Sequence, residues 1–180
     1  MMKTKDLVLM AMFAALTAIG AQIAVPTSLV PFTFQLFFVL LSGALLGSLR
    51  GGLSQLVYLG LGVIGLPVFA GGTSGVGVVL GPSGGYLIGF VVAAFIVGAI
   101  CDVVRSFVGT LIAMVLGVFI IYMFGLAQLM IVTKLAFVPA LSAGVFPFIP
   151  FDLLKAAIAA GLAERLRPVI FASEISPGTS

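Results

Sequence analysis

Residues Ser106–Thr133 read SFVGTLIAMVLGVFIIYMFGLAQLMIVT, a stretch without one Asp, Glu, Lys or Arg. Crossing about 30 Å of hydrocarbon takes roughly 20 apolar residues in an α-helix, so this segment is long enough for one full span. Its surroundings have the same character. Of 180 residues, 62% are apolar and 7% charged, and the mean hydropathy is +1.40. Soluble domains run about 45–50% apolar and about 25% charged. A chain this poor in polar side chains cannot face water all round, which excludes a soluble enzyme. Roughly six or seven spans would use up its length, so no appended ATPase or DNA-binding domain is expected.

Outward from that segment, the charged positions punctuate the chain. Between Asp6 and Arg50 lie 43 uncharged residues, broken by Pro26-Thr27-Ser28-Leu29-Val30-Pro31. Two spans and a turn fit that length, at 6–25 and 31–49. From Gly51 to Cys101 there are 51 uncharged residues with a glycine-rich middle, which predicts a third span at 52–66, a long loop, and a fourth span at 84–102. The fifth span is 106–133 and the sixth runs from Pro147 to Arg167. Lys134–Phe146 reads either as an interfacial piece or as the end of a bent fifth span. The expected fold is an all-α integral membrane protein of six transmembrane helices, one domain over 1–180, with 168–180 as a short cytoplasmic tail.

The basic residues orient the bundle. Lys3, Lys5, Arg50, Arg105, Arg165 and Arg167 fall on one side of a six-span chain and Lys134 alone on the other. Positive charge collects on the cytoplasmic side, so both termini are expected there. The net charge of +3 is scattered and forms no basic stripe, so nucleic acid is not a partner. The first apolar run follows Lys3 and Lys5 as in a signal peptide, but it lacks a cleavage site and reads as a retained helix. No internal repeat argues for inverted symmetry.

Chemistry is narrowed by what is missing. There is no His and one Cys, Cys101, so Ser-His and Cys-His nucleophiles are unavailable and so are the usual zinc sites. No catalytic residue, metal or cofactor is expected. Gly72-Thr73-Ser74-Gly75 matches the G-x-S-G of intramembrane proteases but has no His to serve as base. No phosphate-binding loop occurs. Asp102 and Arg105 read as a surface pair of little energetic weight.

Polar groups converge near one membrane face. An ionisable residue within a span costs roughly 2.5–3.5 kcal/mol on insertion scales, and Asp152 and Lys155 share a helix face at i, i+3. Spacing alone leaves open a self-neutralising ion pair or a ligand site in which Lys155 takes an anion and Asp152 takes N–H donors. Thr33, Gln35 and Gln22 lie at the same depth. So does the loop 65–89, which holds nine glycines and no charge. It reads as a lid whose backbone approaches a ligand, or as a plain hairpin between helices. Tyr86 follows the last glycine pair, Gly84-Gly85, placed to stack on a ring and donate its hydroxyl. Such convergence in an apolar bundle is the signature of a small-molecule pocket. In the first span Ala11 and Ala15, and Ala14 and Ala18, form small-x-x-x-small pairs for close helix contact, within the bundle or with another membrane protein.

Three strings carry a resemblance that covers nearly the whole chain: Pro31-Phe32-Thr33-Phe34-Gln35, the run Gly81-Pro82-Ser83-Gly84-Gly85-Tyr86-Leu87-Ile88-Gly89-Phe90, and Asp152-x-x-Lys155. In these the chain resembles BioY, the biotin-specific substrate-binding subunits of energy-coupling factor (ECF) transporters. Ser83 stands where the family often has Thr. The resemblance implies a six-helix protein of the prokaryotic plasma membrane that binds biotin from outside, with no catalysis of its own. It also implies partners: a coupling transmembrane protein and two cytoplasmic ATPases, the first met by Ala11 and Ala15 or by Ala14 and Ala18. Asp152 is then expected on the ureido N–H groups and Lys155 on an anionic or carbonyl oxygen, with Thr33 or Gln35 making the remaining ring contacts. The family's Asn and Arg contacts have no counterpart in the outer half of this chain. Tyr86, Ser74 or backbone N–H groups, as at Gly84 and Gly85, are expected instead. A solitary carrier working without ATPases is the alternative, and a lipid-modifying enzyme would need more acidic residues around Mg²⁺ than Asp152 alone.

Overall fold

Helices account for most of the chain because, without water, backbone N–H and C=O groups must be satisfied within each segment. The computed structural model describes residues 3–27 and 29–171. Helix α1 (Thr4–Gln22) begins where the Asp6 carboxylate accepts the backbone N–H of Lys3 at 3.0 Å. The same carboxylate takes Arg50 at 2.6 Å, which ties α1 to the start of α3 (Ser48–Val63). Between α1 and α2 the expected turn is a two-stranded antiparallel ribbon. It pairs β1 (Ala24–Val25) with β2 (Phe32–Thr33), Ala24 opposite Thr33 and Val25 opposite Phe32. Helix α2 (Gln35–Leu46) therefore starts later than expected.

At 12 residues α2 rises about 18 Å, less than a full span. It lies at the centre, against α1, α3, α5 (Gly84–Val103) and α8 (Ile149–Phe171), with 11 of its residues buried. Gly47, at φ 80°, turns the chain into α3 (Ser48–Val63), and Asp102 accepts the freed Ser48 N–H at 3.1 Å.

The glycine-rich stretch is folded. It holds a single 3₁₀ turn, Ala70–Gly72, a bridge between Phe69 and Thr73, and a short helix α4 (Val76–Leu80). Helix α5 (Gly84–Val103) and helix α6 (Phe107–Thr133) follow the expected bounds closely. They pack tightly where α5 presents glycine: a Cβ on Gly85 would lie 2.2 Å from the Phe124 carbonyl oxygen.

Lys134 adopts φ 57° and ends α6. The ambiguous segment is thus a separate helix, α7 (Phe137–Gly144), bent by 50° against α8 (Ile149–Phe171). Pro147 before α8 and Pro150 in its first turn suit this break, since proline has no N–H to donate and is best tolerated where the helix leaves that group unpaired. Helix α8 continues through Pro168 to Phe171, so helix extends into the expected tail. The rest of that tail, 172–180, lies outside the described residues.

The all-α membrane bundle is built mainly from α1, α2, α3, α5, α6 and α8, an arrangement compatible with six passes. Of these α1, α5 and α6 are each long and apolar enough to cross a bilayer, and the bent α7–α8 pair is a fourth. Large side chains such as Phe119, Ile112 and Ile131 point outward, as lipid requires. The small run of α8, Ala156, Ala159, Ala160 and Ala163, is fully buried.

Candidate functional site

Asp152 and Lys155 sit in the opening turns of α8, where a carboxylate favours the helix N-terminus. Both are about 95% buried, at 5% and 6% exposure. Lys155 Nζ donates to Asp152 Oδ1 at 2.8 Å and to the Thr33 carbonyl at 2.8 Å. It also lies 3.8 Å from the centre of the Phe32 ring, a cation–π distance. The other carboxylate oxygen accepts the Tyr122 hydroxyl at 2.6 Å. Two charges removed from water are tolerable only with such full pairing.

A second chain of contacts runs from the ribbon into α3. Thr33 Oγ1 donates to Gln35 Oε1 at 2.9 Å, Gln35 Nε2 donates to the Tyr58 hydroxyl, and that hydroxyl donates to the Val68 carbonyl at 3.1 Å. The two chains meet at Thr33, whose backbone and side chain serve one each. Phe32 is held in turn by Phe148 and Phe151, with ring centres 5.9 and 5.4 Å away.

Asp152, Tyr122, Thr33, Gln35, Phe32 and Phe148 border a cavity of about 360 Å³, within the range of small-molecule pockets. Its polar wall is Asp152, Tyr122, Tyr86, Thr33, Gln35, Thr73 and Ser83, and its apolar wall includes Phe32, Leu36, Phe69, Phe90 and Phe148. The glycine-rich segment closes one side through Ala70, Thr73, Gly77 and Gly81. Gln22 holds that cap at the Phe69 carbonyl, 3.3 Å. Gln128 holds its other end at the Val79 and Gly81 carbonyls, 2.7 and 2.8 Å.

Of the residues singled out from sequence, Asp152, Tyr86, Gln35 and Thr33 stand on the cavity wall. Lys155 stands one layer behind, its ammonium turned onto Asp152, Thr33 and Phe32 rather than onto the cavity. Ser74 lies off the wall beside Thr73. Gly84 and Gly85 pack helices: a Cβ on Gly84 would fall 1.8 Å from the Val79 carbonyl oxygen. Tyr86 also reaches across to α7, donating to the Gly144 carbonyl at 2.8 Å. The α1 alanines divide. Ala11 and Ala15 are exposed, Ala14 is buried and Ala18 half-buried.

Tyr122, Tyr58 and Gln128 are the polar members that sequence reasoning passed over. Each carries a hydrogen-bonding group within an apolar helix, which demands a partner, and that demand was the signal available. Nothing in the sequence pairs Tyr122 with Asp152, 30 positions away.

The fold and the cavity together define a multi-pass helical membrane protein enclosing a pocket of small-molecule size. The model for the BioY family matches residues 1–171, and the chain belongs to that family. It is 44% identical over 166 residues to the probable biotin transporter BioY of Pyrococcus horikoshii, covering 92% of this chain and 98% of that one. It is 42% identical over 163 residues to the biotin transporter BioY of Thermotoga maritima, covering 91% and 96%. Among solved structures it is similar to the S-component for biotin from an ECF-type ABC transporter. That match has a TM-score of 0.85, 29% identity, and coverage of 93% of this chain and 95% of that one.

Proposed function

We propose that this chain is the biotin-binding S component of an ECF-type transporter and that the cavity beneath the cap is its biotin site. One observation carries the reading: a buried carboxylate, Asp152, is presented on the wall of a cavity of small-molecule size, paired with Lys155 at 2.8 Å and hydrogen-bonded by the Tyr122 hydroxyl at 2.6 Å. Biotin offers a ureido ring with two N–H donors, a carbonyl, a thioether ring and a valerate tail. Asp152 accepts the ureido N–H groups, and charge-assisted bonds of this kind are the strong ones. Gln35 and Thr33 meet the rest of that ring, and Tyr86 with the phenylalanines covers the thioether ring. Lys155 contributes by pairing with Asp152 and by locking the ribbon at Thr33.

The partners follow the same proposal. ATP hydrolysis belongs to two cytoplasmic ATPases, joined through a coupling membrane protein that docks on the exposed Ala11 and Ala15 of α1. Both termini face the cytoplasm, which puts the cavity at the outer face.

Calorimetric titration of the purified full chain in detergent with biotin tests the site. Saturable one-to-one binding is expected, and lack of any binding overturns the assignment. Uptake into liposomes with and without the ATPase module tests the subunit role. Uptake by this chain alone would make it a solitary carrier.

A further inference from the structure

The cavity wall holds one charged side chain, and it is negative. Asp152 stands there among neutral hydroxyls, one amide and aromatic rings. Among the described residues no cation faces the cavity. Arg50 and Arg167 pair with Asp6 and Glu164 at the other end of the bundle, where Lys5 meets the Ile170 carbonyl. Lys3, Arg105 and Arg165 belong to that same end, where α1 and α6 begin and α8 finishes. Lys134 lies beyond α6, 12 residues and therefore about 18 Å along the axis from Tyr122. Lys155 is spent: an ammonium has three donors, two go to Asp152 and Thr33, and the Phe32 ring covers the nitrogen.

A ligand carboxylate placed beside Asp152 meets a like charge. Placed deeper, it is stripped of water with no cation to replace it, which buried charges do not tolerate. The remaining direction is the cap. There Thr73 and Ser83 offer hydroxyls that bond a carboxylate and a carboxamide equally well. Thr73 and Gly77 both line the cavity and are exposed, so the cap there is a single layer between the cavity and the outside.

We infer that the cavity reads the ureido head of its ligand by charge and leaves the tail carboxylate unrecognised as a charge, so that amide-linked biotin derivatives are ligands of the same site. These include the simple carboxamide and biotin joined through its tail to a lysine side chain, whose added bulk passes out through the single-layered cap at Thr73 and Gly77. The inference rests on biotin being the ligand.

The test is calorimetric titration of the full chain in detergent with biotin, its carboxamide, the lysine conjugate, and biotin methylated at a ureido nitrogen. The carboxamide nearly matches the acid in shape, so it isolates the charge. Its Kd and that of the conjugate are expected within about tenfold of the acid's, which is 1.4 kcal/mol, with the ureido-methylated compound weaker than the acid by more than that. A carboxamide more than tenfold weaker than the acid overturns the inference and leaves the proposed function standing. So does a ureido-methylated compound that binds as well as biotin. Binding by none of the four removes the proposed function itself.

Discussion

Asp152 and Lys155 are each costly alone in this bundle and tolerable together. Removing one partner of a buried pair leaves an uncompensated charge, at about 3–5 kcal/mol, while replacing both by apolar groups is often neutral. Lys155→Met is therefore expected to lower the melting temperature in detergent and to raise the biotin Kd at least about thirtyfold, roughly 2 kcal/mol. The double variant Asp152→Leu/Lys155→Met is expected to recover the melting temperature but not the binding. Unaltered affinity in Lys155→Met would remove both residues from the site. Tyr122→Phe deletes one hydrogen bond to a charged oxygen and should weaken biotin about tenfold with little change in stability. At this scale the sequence named Asp152 and Lys155 from their cost in an apolar span, Thr33 and Gln35 as hydrogen-bonding groups at the same depth, and Tyr86 from its place after the glycine pair. Which of them touch, and that Lys155 turns away from the cavity, depends on a contact between Lys155 and a carbonyl 122 positions earlier.

Helix and cap behave differently because one is held by its own backbone and the other by borrowed side chains. The cap rests on Gln22, on Gln128, on the Tyr58 hydroxyl at Val68, and on one backbone bond from Gly75 to the Gly62 carbonyl at 2.7 Å. Gln128→Leu releases two of these carbonyls, each worth about 1 kcal/mol. It is expected to raise hydrogen exchange across 76–83 and to speed biotin release several-fold, as stopped-flow displacement would show. Unchanged exchange there would mean that Gln128 does not hold the cap. Gly85→Ala has another consequence: its methyl would overlap the Phe124 carbonyl, and overpacking of this kind costs about 1–3 kcal/mol. A clear fall in melting temperature is expected. The glycine count, with the absence of charge, favoured a lid and left a plain hairpin as the alternative, since conformational freedom says nothing about what a loop packs on.

On the scale of the whole molecule, burial divides the two alanine pairs of α1. Large residues at the exposed Ala11 and Ala15, as in Ala11→Trp/Ala15→Trp, are expected to leave biotin binding within about twofold and to abolish ATP-driven uptake with the coupling module. Full uptake by that variant would move the docking face elsewhere. Orientation has its own test, since the one native cysteine, Cys101, is buried and silent to a membrane-impermeant maleimide. Arg105 and Lys134, both exposed, flank α6. In intact cells Lys134→Cys is expected to react and Arg105→Cys not. The reverse pattern would invert the topology.

Composition and the spacing of charges, with no tertiary information, determined that the chain is a helical membrane protein, roughly where its passes lie, and which polar residues need a purpose. These are local properties: a span is recognised by its own length and apolarity, and a buried charge by its own cost. Only the tertiary structure decided that the first turn is a ribbon that shortens α2, that residues 137–144 form a bent helix apart from α6, and that the glycine-rich segment caps a cavity. It alone set Asp152 on the cavity wall with Lys155 behind it, and turned Ala11 and Ala15 outward with Ala14 inward. Each of these depends on which faces meet, and in lipid, where apolar faces are nearly equivalent, that choice is made by close packing at small residues and by paired polar groups, neither of which is written in any single segment.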